Sequence, residues 1–493
     1  AVNFIERAIR VDDGNPHFHN NLGEACRALG RTEGAIGHYE RALALDPGNA
    51  DASCNLGNAL LDLGRAEEAL TAYRRALSLD PRLGEAHYSL GNALHALGDL
   101  KGALECLMRA LELAPKMPKV HGSLGGVLRA LGRFGEAAEC FQRALELDPG
   151  FVEMYASLGL SLVDERRYDD ALAAYDSGLR LSHAPGAATP PNPDTFRRTT
   201  SAKLRHDIEQ MTYLMRQGLL PEDFEHTVAA YREALTELEP QFARHYMADI
   251  PPALAAKLAP TYNRLIHYRA APALGRPAIS RTLDRAAVES DYARNAPGIT
   301  WIDDLLDQEA LDALYRFCLD STIWFKFDYE NGYLAAVMGD GFFCPLLAQI
   351  AEELPKALPG IFRDHRLTQM WAFKYDEQTS GGVRMHADFA AVNVNFWITP
   401  DDANLSSDSG GLIIWDKEAP LDWEFERFNH DQVAINEYLA QTKARARRVP
   451  YRCNRALVFN SDLFHRTDDI HFREGYENRR INITMLYGVR DEP

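Results

Sequence analysis

Small and apolar residues recur at a fixed interval of 34 positions through the first 185 residues. Gly23, Gly57, Gly91, Gly125 and Gly159 each follow a leucine, Ala35, Ala69, Ala103, Ala137 and Ala171 lie twelve positions further on, and Pro47, Pro81, Pro115 and Pro149 close the units. That interval is the length of one helix-turn-helix unit. Small residues let two helices approach closely, while Asp-Pro or Ala-Pro stops the second helix and opens the next unit. The pattern predicts five helical hairpins over 16–185, preceded by half a unit in which Ala8 matches Ala42, so the natural chain is expected to continue upstream. The departures, Asp13 for the first proline and Gly178 for the fifth small residue of the second helix, fall at the ends.

The rhythm stops in HAPGAATPPNPDT, 183–195, where four prolines and no apolar periodicity predict a semi-rigid linker. From Arg197 to about Ile266 helical spacing returns, with Leu204, Ile208, Met211 and Leu214 on one stripe and Gly218 near the end. His206 and Asp207, adjacent on that helix, diverge from one another and read as surface residues. Beyond Pro297 the apolar positions alternate in short runs: LTQMWAFKY (367–375), AVNVNFWIT (391–399), GLIIW (411–415), RALVFN (455–460) and RINITMLYG (480–488). Two helical stretches, DQEALDALYRFCLD and PLLAQIAEELPKAL, precede them. Alternation places Val392, Val394, Phe396 and Ile398 on one face and Asn393, Asn395 and Trp397 on the other, and likewise sets Arg480, Asn482 and Thr484 opposite Ile481, Ile483 and Met485. Apolar faces under helices with polar faces turned inward describe a barrel around a ligand cavity. Residues 416–451 interrupt it and contain a helical run, VAINEYLAQTKARARR, expected to roof or flank the mouth.

The hairpins resemble the tetratricopeptide repeat family, which implies a solenoid whose concave groove, lined by the first helix of each unit, holds an extended peptide or protein partner. Two positions before each marker glycine stand Asn21, Asn55, Ser89, Ser123 and Ser157. An asparagine donates and accepts one hydrogen bond each to a peptide backbone. Asn21 and Asn55 are similar to the asparagine ladder of O-linked N-acetylglucosamine transferase repeats, a pattern the three serines break. The alternative is a solvated polar face.

Composition narrows the partners. With 71 acidic against 53 basic residues the formal charge is −18, and the longest basic run is RARR at 445–448, which excludes a nucleic-acid surface. No stretch of about 18 uninterrupted apolar residues predicts a membrane span. Seven scattered cysteines without a CxxC suggest neither a disulfide framework nor a zinc knuckle, and Cys106 and Cys140, at equivalent repeat positions, read as small core residues. A reducing cytoplasm is the expected location.

The chemistry gathers around RMHADFA, 384–390. His386 and Asp388, two apart on an extended segment, project to one side, and His465 follows a strong strand in RALVFNSDLFH. Two histidines and one carboxylate on one face of an octahedron suit ferrous iron and leave three positions for cosubstrate and oxygen. Arg480, fifteen residues after His465, begins an inward-facing strand position where a guanidinium clamps a carboxylate. His430 and His471 are read as bystanders. Taken in order, HxD, a β run, SGG at 409–411, NSDxxH and RxNxT resemble the iron(II)- and 2-oxoglutarate-dependent dioxygenases, nearest their prolyl-hydroxylase branch, over 296–490. The resemblance implies a double-stranded β-helix (jelly-roll) barrel, with His386, Asp388 and His465 as iron ligands and Arg480 on the distal carboxylate of 2-oxoglutarate. It also implies that Tyr375 and Thr484 line the cosubstrate pocket, and that Trp397, with Asn395 beside it, stands where relatives often carry a second tyrosine.

The expected molecule is a multidomain α + β protein: a repeat array over 1–185, a Pro-rich linker and helical connector over 186–294, and an oxygenase barrel over 295–493. The array selects a protein or peptide and the barrel hydroxylates one of its side chains, with Fe(II), 2-oxoglutarate and O2. Two alternatives stay open: an oxygenase for a free small molecule whose repeats build a homodimer, and a catalytically inactive scaffold.

Overall fold

The computed structural model describes residues 2–187, 194–329, 332–376 and 382–490. The chain forms two compact units, 1–161 and 162–493. The expected boundaries at 185 and 294 mark changes of secondary structure, whereas compactness divides the chain elsewhere. Most of the proline run of the expected linker, 188–193, lies outside the described residues.

Helix α1 (Val2–Val11) precedes the hairpins α2 (Pro16–Ala28) with α3 (Thr32–Leu45), α4 (Ala50–Asp62) with α5 (Ala66–Leu79), α6 (Gly84–Ala96) with α7 (Leu100–Leu113), and α8 (Pro118–Ala130) with α9 (Phe134–Leu147); α10 (Glu153–Asp164) and α11 (Tyr168–His183) follow in the chain. The marker glycines sit where the second helix presses a large side chain on the first. A Cβ at Gly57 would stand 2.5 Å from the Tyr73 ring, and one at Gly125 2.8 Å from Phe141. The alanine markers Ala35, Ala69, Ala103 and Ala137 are fully buried. Cys106 and Cys140, expected inside this core, are only partly buried and pack at its edge.

In the second unit, α11 packs on the loop before α18 (Pro345–Ala357), where Tyr175 meets Phe343 edge-on, and on an earlier segment, where His183 stacks on Phe325 at 3.9 Å. The connector is less uniformly helical than its spacing predicts. Around α12 (Asp194–Arg197), α13 (Ser201–Arg216), α14 (Glu225–Phe242), α15 (Pro252–Leu258) and α16 (Arg285–Arg294), the segments β1 (Arg198–Thr200) and β2 (Met247–Asp249) pair antiparallel. His206 and Asp207 correct the surface reading: both are buried, and His206 Nδ1 lies 3.1 Å from Asp207 Oδ1. Asp207 also receives Lys203 at 2.8 Å, and Lys203 and Gln210 reach the carbonyls of Trp324, Leu319 and Ser321. A polar helix face satisfied by a neighbouring loop has the same sequence pattern as one satisfied by water.

The C-terminal region holds two open antiparallel sheets, which departs from the expected closed barrel. The larger orders β3 (Ile299–Ile302), β9 (Ala456–Asn460), β6 (Val392–Trp397), β11 (Ile481–Tyr487), β5 (Leu367–Lys374) and β4 (Leu334–Val337); the smaller orders β10 (Leu463–Thr467), β7 (Leu412–Glu418) and β8 (Ala446–Val449). Leu457, Phe459 and Trp397 of the larger sheet share one apolar core with Leu412, Ile414, Val449 and Leu463 of the smaller. On the far side α17 (Gln308–Asp320), α18 and α19 (Pro359–Phe362) supply further buried apolar residues, so β6 and β11 are buried along their whole length. The interrupting stretch forms α20 (Phe425–Asn429) and α21 (Gln432–Gln441), but the end of its expected helical run, ARR at 446–448, belongs to strand β8, paired to β7. Its β-branched and long residues gain a ladder partner there that local spacing does not reveal.

Candidate metal centre

The HxD stretch lies between named strands, joined to β10 by a single antiparallel bridge between His386 and His465. The two backbones exchange N–H···O bonds of 3.0 and 2.8 Å, and the Asp388 N–H donates to Ser461 at 3.1 Å. With His386 and Asp388 on one side of an extended segment and His465 opposite, the three side chains converge. Their ligand atoms all lie within 4.8 Å of one another. His386 Nε2 is 3.6 Å from Asp388 Oδ1, His465 Nε2 is 3.5 Å from Oδ2, and the imidazole centroids are 4.3 Å apart.

Backbone carbonyls orient both rings. His386 Nδ1 lies 2.8 Å from the Arg384 carbonyl and His465 Nδ1 3.0 Å from that of Leu463, geometries that put the proton on Nδ1 and leave each Nε2 lone pair toward the shared space. Burial, reinforced by His465 and opposed by Asp388, lowers the His386 pKa to about 4, so the ring is neutral at neutral pH. Burial pushes the Asp388 carboxyl upward, but His386, His465 and the Asn393 amide outweigh it and hold the group below the ordinary value, hence ionised. Two imidazole nitrogens and one carboxylate form a donor set for a divalent transition metal.

A run of amides backs the carboxylate. Asn393 donates to Asp388 Oδ2, Asn395 donates to Asn393, and Asn482 and Thr484 both donate to Asn395 Oδ1 at 2.9 Å. Asn482 Oδ1 is left without a partner. Sequence reasoning placed Asn393 and Asn482 on the inward face without giving them a role; the signal was their parity with Asn395 and Thr484. Thr467, two residues beyond His465, carries the same parity signal.

The triad opens on a small cavity also lined by Trp371, Phe373, Tyr375, Val383, Asn395, Leu412, Thr467, Asn482 and Thr484. Tyr375, Thr484 and Asn395 line this cavity beside the triad, whereas Arg480 and Trp397 are outside its lining. The Arg480 guanidinium is 1 % exposed and sits 4.8 Å over the Tyr375 ring, itself a cavity wall, and 5.7 Å from the Trp397 ring. Nε donates to the Gly410 carbonyl at 2.6 Å and Nη2 to that of Gly411 at 3.3 Å, while Nη1 has no hydrogen-bond partner. This explains the SGG stretch: Gly410 has φ +84°, and a Cβ at Gly411 would stand 1.9 Å from the Val449 carbonyl oxygen. Two acidic residues that follow β9 pair with other arginines, Asp462 with Arg490 at 2.6 Å and Asp468 with Arg448 at 3.2 Å. His430 is exposed against Glu426, and His471 is exposed.

In the array, Asn21 is exposed on α2. Asn55 is half-buried, and its amide nitrogen already donates to Asn20 at 3.1 Å and Glu24 at 2.8 Å. Ser89, at the next equivalent position, is buried.

Three comparisons bear on the repeats. The TPR repeat family matches residues 23–64 and 57–98, and tetratricopeptide repeat families match 84–117 and 124–192. The N-terminal region is thus a tetratricopeptide repeat array, which marks it as a protein-interaction scaffold. Among solved structures, the chain is 27 % identical to the MamA protein, covering 34 % of this chain and 90 % of that one with a TM-score of 0.31. It is 26 % identical to YrrB, a TPR protein with an unusual peptide-binding site (37 % and 93 % covered, TM-score 0.32). It is 28 % identical to a thermophilic TPR protein of Thermus thermophilus (34 % and 90 % covered, TM-score 0.30). No curated protein matches the chain. Among the described residues, no helix is long and apolar enough to cross a membrane.

Proposed function

We propose that the C-terminal region is an iron(II)- and 2-oxoglutarate-dependent dioxygenase of double-stranded β-helix type, hydroxylating a side chain of a protein or peptide that the repeat array recruits. The observation that carries this reading is the convergence of His386, Asp388 and His465 beside a cavity with a buried, partly unsatisfied arginine nearby. The residues fit the group. Two imidazoles and one carboxylate suit ferrous iron, and Arg480 Nη1 is a buried donor lacking an acceptor, such as the far carboxylate of 2-oxoglutarate would supply. When bound, the metal supplies the oxidation of 2-oxoglutarate and of a substrate C–H bond by O2.

The chain's own part is placement and exclusion of water. Asn393 holds Asp388 Oδ2, leaving Oδ1 toward His386; the Arg384 and Leu463 carbonyls fix both imidazole tautomers; Gly410 and Gly411 aim the guanidinium. Trp371, Phe373, Val383 and Leu412 give the otherwise polar cavity an apolar wall against which an uncharged substrate carbon can lie. The test is anaerobic addition of Fe(II) and then 2-oxoglutarate to the full chain, read as a visible charge-transfer absorption that requires both. Absence of that band in a folded, metal-loaded sample overturns the reading and favours a scaffold. Deleting the array while retaining small-molecule turnover favours a free substrate.

A further inference from the structure

The stretch 416–451 forms a second apolar core directly behind the ligand-bearing segment. Trp423, Phe428, Ile435 and Leu439 bury themselves with Ala387 and Phe464, and Met385 packs against the same cluster. Alternation explains the geometry: the side chains that turn away from the cavity at 385, 387 and 464 are apolar, and those that turn toward it at 386, 388 and 465 are the metal donors.

Building on the metal-centre reading above, we propose that this insertion positions His386 and Asp388, with Asn429 and Gln432 as the positioning residues. The HxD segment has no strand ladder of its own beyond the bridge to His465 and the bond to Ser461. Its other edge is held by the insertion. The Ala387 N–H donates to the Phe428 carbonyl at 3.1 Å, Asn429 Nδ2 donates to the Ala387 carbonyl at 2.9 Å, and Gln432 Nε2 donates to the Met385 carbonyl at 2.7 Å. The peptide unit that precedes each of His386 and Asp388 is therefore held by one side-chain amide. Rotation of either unit swings an imidazole or a carboxylate out of the shared space.

The anchor of the insertion is independent of the segment it steadies. Arg490 Nη2 donates to the Ala419 and Pro420 carbonyls at 2.7 Å each, its guanidinium lies 4.3 Å over the Phe428 ring, and it pairs with Asp462. Helix α21 begins on the Asp431 cap, whose carboxylate accepts from the Ala434 N–H at 2.9 Å, and this fixes Gln432 in the first turn.

The test uses the full chain, stripped of metal and titrated anaerobically with Co(II), whose visible absorption reports ligand geometry without turnover. Asn429→Ala and Gln432→Ala should each weaken Co(II) binding roughly ten- to hundred-fold, as loss of groups that orient ligands does. The isosteric Asn429→Asp and Gln432→Glu, which keep size but turn donors into acceptors, should weaken it as much, and Glu437→Ala on the exposed side of α21 should leave it unchanged. Affinity is compared on samples with native circular dichroism. Variants that bind Co(II) as tightly as wild type, whether or not they melt earlier, overturn the proposal, as does rescue by the isosteres. If the wild-type chain itself takes up no Co(II), the metal-centre reading fails instead.

Discussion

Replacing Arg480 by methionine separates a cation kept for a ligand from one kept for the fold. In the ligand-free chain the guanidinium is almost wholly buried, and two of its nitrogens donate to the Gly410 and Gly411 carbonyls. Losing hydrogen bonds to a charged donor costs about 1.5–3 kcal/mol each, and the 3.3 Å bond to Gly411 belongs at the bottom of that range or below it. Against this, a buried cation without a counter-charge carries a desolvation penalty of several kcal/mol, and burial accordingly lowers the Arg480 pKa. The two contributions are of similar size, so Arg480→Met should melt within a few degrees of wild type when ligand-free. With metal bound the balance changes. A dicarboxylate reaching Nη1 turns the uncompensated cation into a buried ion pair, and removing one partner of such a pair costs about 2–5 kcal/mol. That corresponds to a loss of roughly 30-fold to several-thousand-fold in 2-oxoglutarate affinity at about 1.4 kcal/mol per factor of ten. Calorimetric titration of the Mn(II)-loaded chain with 2-oxoglutarate measures it, and Mn(II) affinity should stay within about threefold. Unchanged 2-oxoglutarate affinity, or a ligand-free variant that unfolds, refutes the reasoning: the first frees Arg480 from the cosubstrate, and the second makes it a structural group.

The other expectations are simpler. His386→Ala, Asp388→Ala and His465→Ala should each abolish stoichiometric Mn(II) binding by electron paramagnetic resonance while keeping the native circular dichroism; full binding in any one removes that residue from the triad. Gly57→Ala, whose Cβ meets the Tyr73 ring at 2.5 Å, should destabilise the chain by about 1–3 kcal/mol in thermal melts. Gly37→Ala, within α3 and with nothing inside 4 Å, should stabilise it by roughly 0.5–1 kcal/mol. Replacing both Asn21 and Asn55 by alanine should weaken a groove-bound peptide about five- to hundred-fold, at 0.5–1.5 kcal/mol per amide, in fluorescence polarisation with a peptide substrate; undiminished affinity removes the ladder. Burial raises the Cys318 and Cys344 thiols from about 9 to about 12, so the unfolded chain releases these protons first. That contribution is complete below about pH 9 and is lost as pH rises toward 12, so the urea midpoint should be lower at pH 10.5 than at pH 8.

What could be read in advance follows the range of the interactions. The array was legible because each unit contacts its neighbours at a constant sequence offset: the glycine at 57 and the tyrosine at 73 that needs it lie sixteen residues apart, and the 34-residue interval repeats the requirement. The inward faces of β6 and β11 were legible for the same reason, since period two is a local property. His206 and Asp207 were not, because their burial depends on Lys203 and on a loop more than a hundred residues away. Strand β8 was misread as helix because its pairing with β7, across the whole insertion, decides its conformation. Closure of the barrel was likewise inferred from alternation, which specifies faces but not whether two sheets join at their edges.

The metal triad sits between these limits. The i, i+2 spacing fixes that His386 and Asp388 share a face, but the third donor comes from 77 residues further along the chain, and only the order of strands brings it within reach. The same period two carries a second message, legible only once the fold is known. Met385 and Ala387 share the opposite face and need an apolar partner, which the interrupting helices provide. Spacing therefore names the candidate donors, while an insertion expected from the sequence to roof or flank the mouth packs behind them. A roof over the mouth would have controlled access to the cavity; a wall behind the ligands controls their geometry. The hydrogen bonds from Gln432 and Asn429 to the carbonyls that precede His386 and Asp388 support the second role proposed for the insertion.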